Sequence, residues 1–151
     1  MKNNKNKAIA FTKTPSCYWS IETKISHLQR RILLYSFMYY KMNVNVISDY
    51  DYDALCYQLQ EMQNEVDETT LKKTKYYYAF YDFEAFTGFH LIPRLNKEDF
   101  EVISNLAEIV YDAWYRNTTQ EQRQMATKGI YETKNYLKVW KSSFHSISFV
   151  V

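Results

Sequence analysis

The sequence predicts an α+β domain, mostly helical, and three observations predict it. Apolar residues recur at helical spacing over most of the chain. Ser48, Asn96 and the pair Thr118-Thr119 stand where helix caps are required. One aromatic-dense stretch, KYYYAFYDFEAFTGFHLI at 75–92, departs from the helical pattern.

In chain order, residues 1–19 read as a flexible N-terminal arm, polar at MKNNKNK, with Pro15 and Trp19 suggesting that it packs back. From Ser20, the residues Ile21, Ile25, Leu28, Ile32, Tyr35 and Tyr39 are spaced by alternating steps of four and three, which places them on one helical face. Asn43-Val44-Asn45 interrupts that face. Ser48 then offers an N-cap with Asp51 at its N3 position, opening a second helix striped by Leu55, Leu59, Met62 and Val66. After a polar stretch at 67–74, the Tyr- and Phe-rich segment predicts a β-hairpin with strands at 75–81 and 87–92 and Gly88 near the turn. Asn96 caps a third helix carrying Phe100, Ile103, Ala107, Val110 and Trp114. Thr118-Thr119-Gln120-Glu121 is a capping box for a fourth, with Ala126, Ile130, Leu137 and Trp140 inward and Gly129 as a candidate break. The tail FHSISFVV suggests a short strand. One domain at 20–151 is expected, with a helix pair at 20–66 and the hairpin plus C-terminal helices at 67–151.

Composition removes several function classes. The 151 residues suffice for one real core. Aromatic residues make up 18%, including 15 Tyr, which suits a core with wet edges or a stacking surface. With only 2 Gly, neither a dinucleotide-binding fingerprint, a P-loop nor a nucleophile elbow can be written. A net charge of +2 without a clustered basic face argues against nucleic-acid binding. Cys17 and Cys56 share no metal or redox spacing, so a reducing cytoplasm is the expected compartment. No apolar run approaches a membrane span, and no apolar core follows the basic start, so neither membrane insertion nor a signal peptide is expected.

The stretch ISDYDYDAL carries the chemistry. Asp49, Asp51 and Asp53 alternate with Tyr50 and Tyr52. A calcium loop fails at its two most constrained positions, with Ala54 where Gly is needed and Gln60 where a bidentate Glu is needed. An Asp-x-Asp phosphotransferase of the haloacid-dehalogenase type fails as well, because too few and too polar residues precede Asp49 for a buried strand. Helix capping explains Ser48, Asp49 and Asp51, since first-turn carboxylates gain about 0.3–1 kcal/mol each from the helix dipole. It leaves Asp53, Tyr52 and the upstream pair Tyr39-Tyr40 unexplained. His27, His90 and His145 never reach metal-ligand spacing, and Cys56 reads as a small core residue. Asp82 and Glu84 read as a solvated turn, and Arg94 and Lys97 as surface charge at a helix start.

The string LQRRILLYSFMYYKMNVNVISDYDYDALCYQLQEM at 28–62 resembles the N-terminal Ia domain of NAD-dependent bacterial DNA ligases. Those domains carry a helix ending in Tyr-Tyr or Tyr-His, a spacer, Asp-x-x-Tyr-Asp and a Leu-rich helix. Here Tyr39-Tyr40, Asp49, Tyr52-Asp53 and Leu55, Leu59 and Met62 stand in that order, with eight residues between Tyr40 and Asp49 where those domains carry nine. In that family the domain clasps the nicotinamide mononucleotide half of NAD. The resemblance therefore implies that Tyr39 and Tyr52 contact the nicotinamide ring. It implies that Tyr40 reaches toward phosphate or ribose, and that Asp49 and Asp53 accept hydrogen bonds and favour the cationic pyridinium.

The departures are as informative. No Lys-x-Asp-Gly nucleophile motif occurs, so ligation by this chain alone is not expected, and the sequence beyond residue 75 does not look ligase-like. The resemblance implies a stand-alone, ligase-related protein, non-catalytic, from a bacterial cytoplasm or a phage-infected host. It would bind NMN, NAD or an ADP-ribose-type nucleotide to sequester or sense it. The alternative is a phage or mobile-element interaction factor, of inhibitor or antirepressor type, that reuses the scaffold to bind a protein target. Homo-oligomerisation stays open.

Overall fold

Ser20 starts the first helix by accepting the Thr23 amide on its hydroxyl at 3.2 Å. A computed structural model of the chain describes residues 18–85 and 88–126. Among the described residues the helices are α1 (Ile21–Lys41), α2 (Asp49–Glu65), α3 (Glu68–Leu71), α4 (Tyr77–Phe80), α5 (Leu91–Arg94), α6 (Lys97–Arg116) and α7 (Gln120–Ala126). None is long and apolar enough to cross a membrane.

α1 is the centre of the fold and packs against α2, α5 and α6. Ile25, Leu28 and Ile32 of the predicted stripe are fully buried, but so are Leu33, Phe37 and Met38, whereas Ile21 at the start is 38% exposed. The helix is therefore enclosed on several sides rather than along one face. It stops at Asn43, whose φ of 55° is a left-handed conformation that Asn tolerates better than most residues. The Val44 amide then folds back to the Met38 carbonyl at 3.0 Å. Ser48 begins α2 as the sequence predicts, accepting the Asp51 amide at 3.1 Å, and α2 buries Leu55, Cys56 and Leu59. Asn96 begins α6 by accepting the Asp99 amide at 2.8 Å, and α6 buries Ile103, Ala107 and Tyr111.

The capping box before α7 forms one residue later than written in the sequence. The Gln122 amide donates to the Thr119 hydroxyl at 3.2 Å, and the Thr119 amide donates to the Gln122 side chain at 2.8 Å. Pro15, Gly129, Ile130, Leu137, Trp140 and the strand expected at FHSISFVV lie outside the described residues. Trp19 meets His27 edge-to-face at 5.3 Å.

The α+β class and its aromatic β-hairpin are not what the chain forms. No strand occurs among the described residues, and the segment expected as two strands holds the short helices α4 and α5 with turns between them. Burial explains the difference. Tyr76, Ala79, Phe80 and Phe83 are all buried, at the spacing of successive helical turns, whereas a half-buried strand would bury alternate residues. Aromatic content predicted a sheet, and helical spacing prevailed.

A buried amide fastens this segment to α1. Gln29 is fully buried. Its Nε2 donates to Gln63 at 3.1 Å and to the Thr74 hydroxyl at 3.2 Å, and its Oε1 accepts the Tyr76 amide at 3.2 Å. One side chain thus ties α1, α2 and the 74–76 turn together. Gln29→Leu keeps the volume but strands the Tyr76 amide, and is expected to lower unfolding free energy by about 2–4 kcal/mol in urea denaturation.

Candidate functional site

α1 ends and α2 begins on the same side of the fold, and the connector between them crosses the gap. A cleft of about 310 Å³ lies there. Tyr35, Ser36, Tyr39 and Tyr40 line it from the last turns of α1, and Asn45, Val46 and Ile47 from the connector. Asp49, Tyr52 and Asp53 line it from the first turns of α2, and Gly88 comes from the far segment. All five residues singled out in the sequence, Tyr39, Tyr40, Asp49, Tyr52 and Asp53, therefore border one space. The volume is at the lower end of the range of roughly 300–1,000 Å³ found for small-molecule pockets.

Tyr52 anchors one wall. Its hydroxyl lies 2.8 Å from the Ser36 hydroxyl, joining α2 to α1 across the cleft. Gly88 packs against the same phenol so closely that a Cβ there would fall 2.4 Å from the Tyr52 hydroxyl. This is a packing reason for glycine, since only a hydrogen fits beneath the phenol. Burial, and then the neighbouring Cys56 thiol, hold the Tyr52 phenol well above the ordinary tyrosine pKa, while the Ser36 hydrogen bond opposes the shift. The Cys56 thiol is itself pushed up to about 11, chiefly by burial.

The opposite rim is more open. Tyr39 and Tyr40 meet edge-to-face at 4.8 Å, and Tyr40 is 47% exposed. The Asn45 side-chain amide donates to the Asp49 carboxylate at 3.3 Å. The Asn45 backbone amide donates to the Ala126 carbonyl at 2.9 Å, so the end of α7 steadies the connector. Tyr50, which the pattern leaves out, is solvent-facing, and Asp51 is exposed in the first turn.

Among the described lining residues there are four tyrosines and two aspartates but no Lys, Arg or His. The arrangement offers π-faces, hydroxyl and carboxylate acceptors and a net negative field. No group of three His, Cys, Asp or Glu residues suited to a metal occurs among the described residues.

Other polar residues weighed in the sequence are occupied elsewhere. Arg94 forms a two-point ion pair with Asp82 at 2.5 and 2.9 Å, donates to the Ala79 carbonyl at 3.0 Å, and lies 4.8 Å over the Tyr81 ring. Glu84 and Lys97 are exposed. His90 stands at the start of α5, 4.0 Å from Asp82. Sequence reasoning missed the buried Asp99 carboxylate, which accepts the Tyr78 hydroxyl, while that hydroxyl accepts the Asn96 amide at 3.3 Å. It also missed Tyr35, Ser36, Asn45 and Gly88 in the cleft. Tyr35 and Ser36 precede Tyr39 and Tyr40 by one turn, a signal that helical spacing carries. Gly88 had no local signal.

Comparison of the chain with protein families, with characterised proteins and with solved structures gave no match.

Gly88→Ala is expected to cost about 1–3 kcal/mol by crowding the Tyr52 phenol, and less than about 1 kcal/mol in a Tyr52→Phe background, where no hydroxyl stands in the way. Thermal and urea unfolding of the four proteins in the cycle checks this. A second expectation concerns alkaline pH. The Cys56 thiol ionises more readily unfolded than folded, so its stabilising contribution is complete below pH 9.0 and disappears as pH rises to about 11. The melting temperature should fall over that window, and fall less in Cys56→Ala.

Proposed function

We propose that this protein is a non-catalytic relative of the ligase Ia domain, and that its cleft binds the nicotinamide-riboside part of a nicotinamide nucleotide to sequester or sense it. One observation carries the reading. Tyr39, Tyr40, Asp49, Tyr52 and Asp53, which the family resemblance names in advance, all line the same cleft. In this reading the rings of Tyr39 and Tyr52 meet the nicotinamide, a contact to a pyridinium cation contributing about 0.5–2 kcal/mol. Asp49 and Asp53 accept hydrogen bonds from ribose or carboxamide hydrogens, at about 1.5–3 kcal/mol each for charged acceptors. Together these contacts correspond to dissociation constants between roughly millimolar and ten micromolar.

Calorimetric titration with NMN, NAD and ADP-ribose tests the reading. Saturable binding is expected for the nicotinamide nucleotides, weakened about tenfold or more in Tyr39→Ala and Asp53→Ala while both variants remain folded. Absence of heat up to several millimolar ligand overturns it.

A second reading has its own observation. Tyr40, Tyr50 and Tyr57 are 47%, 82% and 50% exposed around the cleft and the outer side of α2. Tyrosine is favoured at protein interfaces, so this rim suits docking of a protein target such as the host factor of a phage inhibitor. Co-purification of a defined partner that Tyr50→Ala and Tyr57→Ala release would favour this reading.

A further inference from the structure

We infer that α7 is a latch on the cleft. Docked, it fixes the connector that carries Asn45, Val46 and Ile47. Released, it frees that wall, so the cleft has a latched and an unlatched form. This holds for whatever the cleft takes up and goes beyond the nicotinamide reading.

One wall of the cleft lies outside the long helices. Tyr35, Ser36, Tyr39 and Tyr40 stand on α1, and Asp49, Tyr52 and Asp53 on α2, whereas Asn45, Val46 and Ile47 belong to neither. Val46 and Ile47 are half-buried against the core. Among the described residues, the Val44 amide is bonded to the Met38 carbonyl at 3.0 Å and the Asn45 amide to the Ala126 carbonyl at 2.9 Å. The Asn45 side chain donates to the Asp49 carboxylate at 3.3 Å. One residue thus has its backbone held by α7 and its side chain on a carboxylate of the cleft.

α7 is weakly docked. It has seven residues, fewer than the roughly 12–15 at which isolated helices become stable in water, and none of them is buried. Met125 in its last turn is 89% exposed. Its docking rests on polar contacts. At its start Thr119 and Gln122 cap one another. Arg123 reaches back to the end of α6, donating to the Tyr115 carbonyl at 2.9 Å and to the Thr118 carbonyl, with its guanidinium 4.0 Å over the Tyr115 ring. At its end stands the Asn45 bond. Elements with few buried apolar contacts open locally, at a lower cost than global unfolding. Opening of α7 withdraws the Ala126 carbonyl from Asn45, and with it a constraint on Asp49. Arg123 acts on the cleft through this connector and is a positioning residue.

The experiment is amide exchange by NMR on the full chain, in the wild type, Arg123→Ala, Arg123→Lys and Thr119→Ala. In the wild type, Asn45 and the amides of α7 are expected to share one level of protection, well below that of Ile32, Leu33 and Phe37. Arg123→Ala should speed exchange in α7 about tenfold or more, and at Asn45 by the same factor. Thr119→Ala loosens the helix through its cap instead, and should raise both by a smaller common factor, about fivefold. Arg123→Lys keeps a charged donor and should recover part of the loss. The amide signals of Val46, Ile47, Asp49 and Asp53 should move along one line through the four proteins, in the order of α7 opening, as two exchanging forms require.

Faster exchange in α7 with Asn45 or the cleft signals unmoved overturns the latch, because α7 then opens without the connector. Protection of α7 and Asn45 equal to that of Ile32, Leu33 and Phe37 also overturns it, because they then open only with the whole fold. Exchange in α7 unchanged in both Arg123→Ala and Thr119→Ala overturns the docking on which the latch depends.

Discussion

The amide side chain of Gln29 lies midway along α1, away from solvent, and its two ends hold Gln63, Thr74 and the Tyr76 backbone. A buried amide with unsatisfied ends costs more than its hydrogen bonds return, so three elements must meet at fixed distances around it. That requirement sets the height at which α2 crosses α1 and brings the 74–76 turn onto the same helix. Leu28, Ile32 and Phe37 complete the arrangement from the apolar side, with the Phe37 ring edge-on to Phe100 of α6 at 5.4 Å. Hydrophobic burial holds the assembly together, and the amide determines its register.

With that register fixed, the cleft arises from where two helices stop and start. Asn43 ends α1 with a left-handed turn, Ser48 opens α2, and the residues between them are too few to fill the corner. Among the described residues, the far segment reaches the corner through Gly88, which leaves room for the Tyr52 phenol instead of a side chain of its own. A pocket at paired helix ends also inherits the backbone groups that helices leave unbonded, which gives it polarity before any side chain is added. The two carboxylates and the ring faces then set the sign of that polarity.

Much of this was legible in the sequence. The long helices could be read because capping residues and apolar spacing agree: Ser48, Asn96 and the stripe from Ile25 to Ile32 each mark elements that formed. The five cleft residues lie within one short helix–connector–helix stretch, where local spacing alone decides which side chains face one another. The 75–92 segment was misread because aromatic density is a weak, context-dependent strand signal, and the spacing of Tyr76, Ala79, Phe80 and Phe83 was the stronger one. The Gln29 hub, the Tyr78–Asp99 contact and Gly88 could not be read, since each pairs residues that only the tertiary fold brings together.

The distance between Gly88 and the rest of the cleft has a thermodynamic consequence. Tyr52 is buttressed on one side by Ser36 of α1 and on the other by a backbone that arrives only after α3 and α4 have been traversed. The pocket wall is therefore not a property of the 20–66 segment, and a transplant of that segment would carry the side chains without the wall. Any ligand held at Tyr52 would stabilise the native state as a whole rather than the 20–66 segment alone, and would slow those amide exchanges in α5 and α6 that need global unfolding, although it touched neither helix.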